Sequence, residues 1–233
     1  MVVAKSKTTK KTVLKSSVKK ATVKSVSTKN TPHLKDEIQQ YFAEFLGTGL
    51  LTFVVTMAVG FGDMPLATPL LAGLTLGLLV YTLGGISGAN LNPAVTLSLF
   101  VTRQLHYKTA IFYILAQLTG AMFAVTTYYS SGFPLPAANL DHAGILFMVE
   151  AIGTAILAFG VAAVAHKKVT QSASGLVVGG SLALGATLAG TLTFGLINPA
   201  IAISWGLFTP TYILAPFVGG LVGALAYKLL IWK

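Results

Sequence analysis

Six stretches of nearly continuous apolar residues follow one another along the chain, at about 39–60, 67–85, 107–129, 143–165, 173–191 and 211–231. Each is close to the about 20 residues that an α-helix needs to cross the hydrocarbon core of a bilayer. Two further apolar pieces, 86–101 and 192–208, are shorter and interrupted by Gly or Pro, so they do not span. Lipid offers no partner to a free backbone N–H or C=O, and such pieces must therefore be buried in protein or line a watery cavity. The pattern predicts an all-α membrane protein with six transmembrane helices and two re-entrant half-helices.

The pattern is also duplicated. Asn92-Pro93-Ala94 in the first short piece returns as Asn198-Pro199-Ala200 in the second, 106 positions later, and Glu44-Phe45-Leu46-Gly47-Thr48 returns as Glu150-Ala151-Ile152-Gly153-Thr154 at the same offset. Tyr113-Ile114-Leu115-Ala116 reappears at Tyr212-Ile213-Leu214-Ala215, an offset of 99, so the second copy is about seven residues shorter after its tripeptide. The copies cover about 38–130 and 142–233. Three spans per copy turn the second one over, giving an inverted repeat whose functional site is expected near the membrane midplane, where broken helices meet.

The tripeptide has a direct physical reading. Proline suits the first position of a helix and asparagine the cap before it, so Asn92 and Asn198 are each expected to begin a half-helix. Two such helices entering from opposite faces point positive ends at one another, and a cation between them meets an unfavourable field. With the Asn carbonyls used for capping, the amide hydrogens are expected to face a lumen. A water held by two donors must turn its own hydrogens away, which breaks a proton wire.

Composition and charge narrow the picture. At 54% hydrophobic and 9% charged residues the chain is no ordinary soluble domain, and without cysteine it has neither disulfides nor thiol chemistry. The formal net charge of +10 is local, because ten of the sixteen basic residues are lysines between Lys5 and Lys35, whereas six basic residues balance six acidic ones from Asp36 onward. Residues 1–35, rich in Lys, Ser, Thr and Val, are expected to form a disordered cytoplasmic tail ahead of a membrane domain at 36–233. Its expected partner is anionic lipid headgroups. No aromatic residue interleaves the lysines, which argues against nucleic acid. With the tail inside, Arg103, His106, Lys108, Lys167, Lys168, Lys228 and Lys233 also fall inside, while the connections holding Asp63, Asp141 and Thr191 carry no Lys or Arg. Both termini are thus expected to be cytoplasmic.

Along residues 38–233 the sequence resembles the aquaporin (major intrinsic protein) family. The motifs that carry this are Ala43-Glu44-Phe45-Leu46-Gly47-Thr48, Ser87-Gly88-Ala89-Asn90-Leu91-Asn92-Pro93-Ala94-Val95-Thr96 and Gly195-Leu196-Ile197-Asn198-Pro199-Ala200. The resemblance implies one pore per subunit, homotetramers in the bilayer, and passive passage of water or small neutral solutes such as glycerol, urea or ammonia, with no cofactor, metal or catalytic residue. It also implies a selectivity filter at Ala72, Ala186, Gly195 and Ile201. Most relatives carry an arginine where Ile201 stands, and usually an aromatic residue or histidine among the other three. The small apolar set found here predicts an opening that is wider and more hydrophobic than a strict water filter, with backbone carbonyls ahead of each tripeptide as its polar rail. Tyr212 and Ala202, in contrast, sit where water-selective relatives have an aromatic and lack an acid.

Glu44 and Glu150 lie inside spans, where a carboxylate needs partners. They are expected to be structural, accepting hydrogen bonds from backbone N–H groups of the re-entrant loops. Gly73 and Gly77, Gly175 and Gly179, and Gly219 and Gly223 have the four-residue spacing of close helix packing. Two other readings stay open on sequence: an inverted-repeat secondary transporter using the paired acids, and a structural membrane protein with a closed pore. His33, His106, His142 and His166 are scattered near membrane edges and suggest no catalytic set.

Overall fold

A computed structural model describes residues 34–60, 67–135, 137–138 and 141–231. The tail through residue 33, Asp63 and Lys233 lie outside the described residues. The described chain forms α1 (Leu34–Gly60), α2 (Ala67–Ser87), α3 (Pro93–Val101), α4 (Tyr107–Tyr129), α5 (Ala143–Ala165), α6 (Gln171–Ala189), α7 (Pro199–Ser204) and α8 (Pro210–Leu230). All but α3 and α7 are long and apolar enough to cross a membrane. We call the side from which α1 starts the near face and the opposite side the far face.

Two spans, α4 and α5, coincide with the stretches read from sequence. The first does not, because α1 starts at Leu34, five residues before the apolar run. Asp36 and Glu37 occupy its first turn, where negative charge complements the helix dipole. Leu34 and Lys35, placed by the sequence pattern at the end of the tail, are the first two residues of this helix.

Helix pairing follows the duplication. α1 packs on α4 as α5 packs on α8, α1 on α2 as α5 on α6, and α3 on α8 as α7 on α4. The pair α2 and α6, which are each other's counterparts, meets at the pseudo-twofold axis. Glycine makes that crossing close: a Cβ placed on Gly73 would lie 2.5 Å from the Gly179 carbonyl oxygen, and one on Gly77 2.8 Å from that of Gly175. Association in lipid depends on such contact, because apolar side chains gain nothing from leaving an apolar solvent.

The bundle is polar within and apolar without. Leu70, Leu74, Leu78, Phe123, Leu184 and Leu229 are exposed, whereas Glu44, Thr48, Thr52, Thr56, Thr96, Gln117, Glu150 and Thr154 are fully buried. Interior polarity on this scale marks a solvated path or a hydrogen-bonded scaffold, and the re-entrant segments provide both.

Neighbouring glycines of α6 test the packing. Gly179 faces the Gly73 carbonyl, while a Cβ on Gly180 meets nothing within 4 Å. Thermal melting in detergent should fall for Gly179→Ala and hold or rise for Gly180→Ala, because alanine is the better helix former by about 1 kcal/mol where space allows. Equal shifts would contradict this account of the crossing.

Candidate functional site

Each short helix begins as its tripeptide dictates. Asn92 is extended (φ −157°, ψ 122°), its Oδ1 accepts the Ala94 N–H at 2.9 Å, and Pro93 is the first residue of α3. Asn198 repeats this (φ −143°, ψ 107°), accepting the Ala200 N–H at 3.1 Å ahead of Pro199 and α7. The two tripeptides then meet. Asn92 Nδ2 donates to the Ile197 carbonyl at 2.9 Å, and Asn198 Nδ2 donates to the Leu91 carbonyl at 2.9 Å. One hydrogen of each amide is therefore held by the opposite loop, where the sequence suggested that both were free. The second hydrogen of each remains.

The loops ahead of the tripeptides are strained. Ala89 and Leu91 both have φ 51° and Ile197 has φ 40°, in the left-handed region that L residues avoid at a cost of about 1–2 kcal/mol each. Buried carboxylates hold them there. Glu44 accepts hydrogen bonds from Ser87 Oγ at 2.6 Å, Asn90 N at 2.9 Å, Leu91 N at 2.8 Å and Gln117 Nε2 at 2.7 Å. Glu150 accepts them from Thr193 Oγ1 at 2.6 Å and Ile197 N at 2.8 Å. Ser87 and Thr193 are counterparts, and each hydroxyl also takes the N–H two residues on, from Ala89 at 3.0 Å and Gly195 at 2.9 Å.

Gln117 escaped the sequence reading. Its Nε2 bridges Glu44 and the Thr96 hydroxyl, the latter at 2.9 Å. The corresponding residues of the second copy are Pro216 and Ala202, so donor and acceptor have been replaced together. A lone Gln in an apolar helix was the available signal.

Two cavities flank the tripeptides. The far-face cavity is lined by the four positions expected to form a filter, Ala72, Ala186, Gly195 and Ile201, together with Asn92 and Asn198. The near-face cavity is lined by Gly88, Ala89, Asn90, Leu99, Gln104 and Ser174 among others. Among the described residues no hydrogen bond reaches the carbonyls of Ala89, Asn90, Gly195 or Leu196, leaving polar atoms in otherwise apolar walls.

The far cavity is apolar, as its side chains require, and small in volume. A water's centre has about 20 Å³ there, against about 240 Å³ on the near side, and one water needs about 10–15 Å³. Phe194 is the aromatic residue in this lining. It lines this cavity, packs edge-on against Trp205 (5.6 Å, 69°), stacks on Tyr212 (6.3 Å, 25°), and donates its N–H to the Tyr212 hydroxyl at 3.4 Å. Trp205 is fixed in turn by its Nε1, which donates to Thr56 Oγ1 at 3.0 Å. Phe194 stands one residue before Gly195 and is not among the four positions expected from the sequence.

The three described histidines stay apart from this centre. His106 and His142 precede α4 and α5, and His166 follows α5, with its Nδ1 3.4 Å from Gln104 Nε2. Burial, then Lys228 and Lys168, keep the His166 imidazole below its usual pKa.

The family model described as major intrinsic protein matches residues 32–227. The chain belongs to the major intrinsic protein family. This family member is 34% identical over 213 residues to glycerol uptake facilitator protein-like 6 of Lactiplantibacillus plantarum, covering 83% of this chain and 98% of that one. Aquaporin NIP1-4 of Oryza sativa is 34% identical, over 83% of this chain and 77% of that one. Among solved structures, the aquaglyceroporin from Plasmodium falciparum has the same fold, with a TM-score of 0.68 at 23% identity, covering 83% of this chain and 95% of that one. The chain is accordingly a multi-pass integral membrane protein.

Gln117→Leu should lower the melting temperature in detergent, because it strips a buried carboxylate of a donor at a cost of about 1–3 kcal/mol. A melting curve identical to that of the parent would remove Gln117 from the scaffold.

Proposed function

We propose that the two cavities are halves of one passive path through which water and small neutral solutes such as glycerol diffuse across the bilayer. The observation that carries this is the reciprocal pair of bonds joining Asn92 and Asn198 to the opposite loops, with both side chains in the wall of the far cavity. Each amide keeps one N–H for a passing oxygen, and each carbonyl ladder offers acceptors on either side. A neutral molecule can exchange its water partners for these groups. A cation meets donors and the positive starts of α3 and α7 instead, and a proton finds its wire turned outward from the centre.

In this reading Asn92, Pro93, Ala94, Asn198, Pro199 and Ala200 form the central constriction, and Ala72, Ala186, Gly195 and Ile201 the filter. Glu44 and Glu150 are scaffold. Phe194 joins the filter as the aromatic that the four positions lack, and the small volume it leaves favours single-file water over glycerol. Arg103, Lys108, Lys167, Lys168 and Lys228 all belong to the near face, which we take as cytoplasmic with both termini. The resemblance to aquaporins supports a homotetramer with one path per subunit.

Stopped-flow shrinking of proteoliposomes tests the path, and water permeability no greater than that of empty vesicles would end the channel reading. The filter assignment carries its own expectations. Phe194→Ala should raise glycerol permeability several-fold relative to water, and Ile201→Arg should lower that ratio. An unchanged ratio in both variants would place selectivity elsewhere.

A further inference from the structure

Asn90 is an anomaly within the duplicated frame. Its backbone N–H is held by Glu44, so the fold uses its main chain. The side chain has no comparable duty: it is 7% exposed, and Nδ2 is buried without a hydrogen-bond partner. Leaving such a donor unmet costs about 1–3 kcal/mol, which selection removes easily unless a visiting molecule meets it. The counterpart of Asn90 at the 106-residue offset is Leu196, buried in the equivalent loop. The architecture therefore builds this corner with leucine as readily as with asparagine.

Position supplies the second half of the argument. Both Asn90 and Val161 line the narrow far cavity, and both also line the roomy near one. They mark the neck between the two, with an aliphatic residue on one side and an asparagine on the other. A water or solute leaving the central constriction toward the near face must cross this neck. Asn90 brings polar atoms to this neck, with an unpartnered amide nitrogen just beneath its surface, and the Val161 side chain brings none.

We propose that Asn90 is a specificity-determining residue whose side-chain amide is a transient binding site at the neck for small neutral hydrogen-bonding molecules, water first among them. The inference rests on the channel reading. It adds a third amide to the path, placed on one side of the pseudo-twofold axis only. Passage is then a relay from the paired asparagines to Asn90, and the apolar neck does not strip the molecule of its last partner.

The test compares Asn90→Leu, which keeps bulk and copies Leu196, with Asn90→Ser, which keeps a donor and an acceptor in less space. Full-length protein in proteoliposomes is assayed for water and urea flux per reconstituted channel. The expected result is about a tenfold loss of water permeability for the leucine variant, the value of one ordinary hydrogen bond, and near-parental flux for the serine variant. Parental protein that conducts while the leucine variant conducts equally would overturn the inference and leave the channel standing. Equal loss in both variants would also overturn it, by reducing Asn90 to a positioning role. Parental protein no faster than empty vesicles would instead defeat the channel reading itself. Should the leucine variant fail to fold, Asn90→Ala takes its place against serine, with reduced flux for alanine alone as the supporting outcome and equal flux as the overturning one.

Discussion

An irregular backbone cannot rest at mid-membrane unless its polar groups are met from inside the protein, and the rest of this structure is arranged around that requirement. Two loops dip to the centre, and two buried carboxylates hold them from behind while two asparagine side chains tie them together in front. The ties run to main-chain carbonyls, so they fix where the loops sit whatever side chains Leu91 and Ile197 carry. The left-handed residues between these anchors are tolerable because both ends are pinned.

Duplication explains the frame, and its failures point to function. Asn92 and Asn198, Glu44 and Glu150, and Ser87 and Thr193 keep their parts across the repeat. Gln117 with Thr96 in one half becomes Pro216 with Ala202 in the other, a paired loss that leaves no orphaned partner behind. Asn90 against Leu196 is a different kind of departure, because the amide adds a polar group that the scaffold leaves unsatisfied. Pseudo-symmetry thus provides an internal control that separates what the fold needs from what it carries.

Much of this was legible in the chain. A helix of about 20 apolar residues has few alternatives in lipid, so spans such as α4 and α5 could be bounded to the residue by the polar or aromatic residues around them. The start of α1 could not, because a helix emerging from the membrane is free to carry Lys35, Asp36 and Glu37 and looks like tail. The four positions expected to form a filter, located by spacing from the asparagines, share one cavity. Its small volume was not legible in the same way. Volume depends on how neighbouring side chains pack, and here Phe194 is held by Trp205 and Tyr212 through contacts that bring α7 and α8 together with the loop. Gln117 was hidden for a similar reason, since its partners lie 73 and 21 residues away.

The two chambers differ about twelvefold in the space they leave for water, 20 against 240 Å³. Diffusion driven only by concentration is the same in either direction whatever the shape of the passage. Obstruction does not share that symmetry. A rigid molecule too broad for the tighter chamber can still lodge in the roomier one and stopper the conduit, so an occluding drug would have sidedness even though the permeants have none.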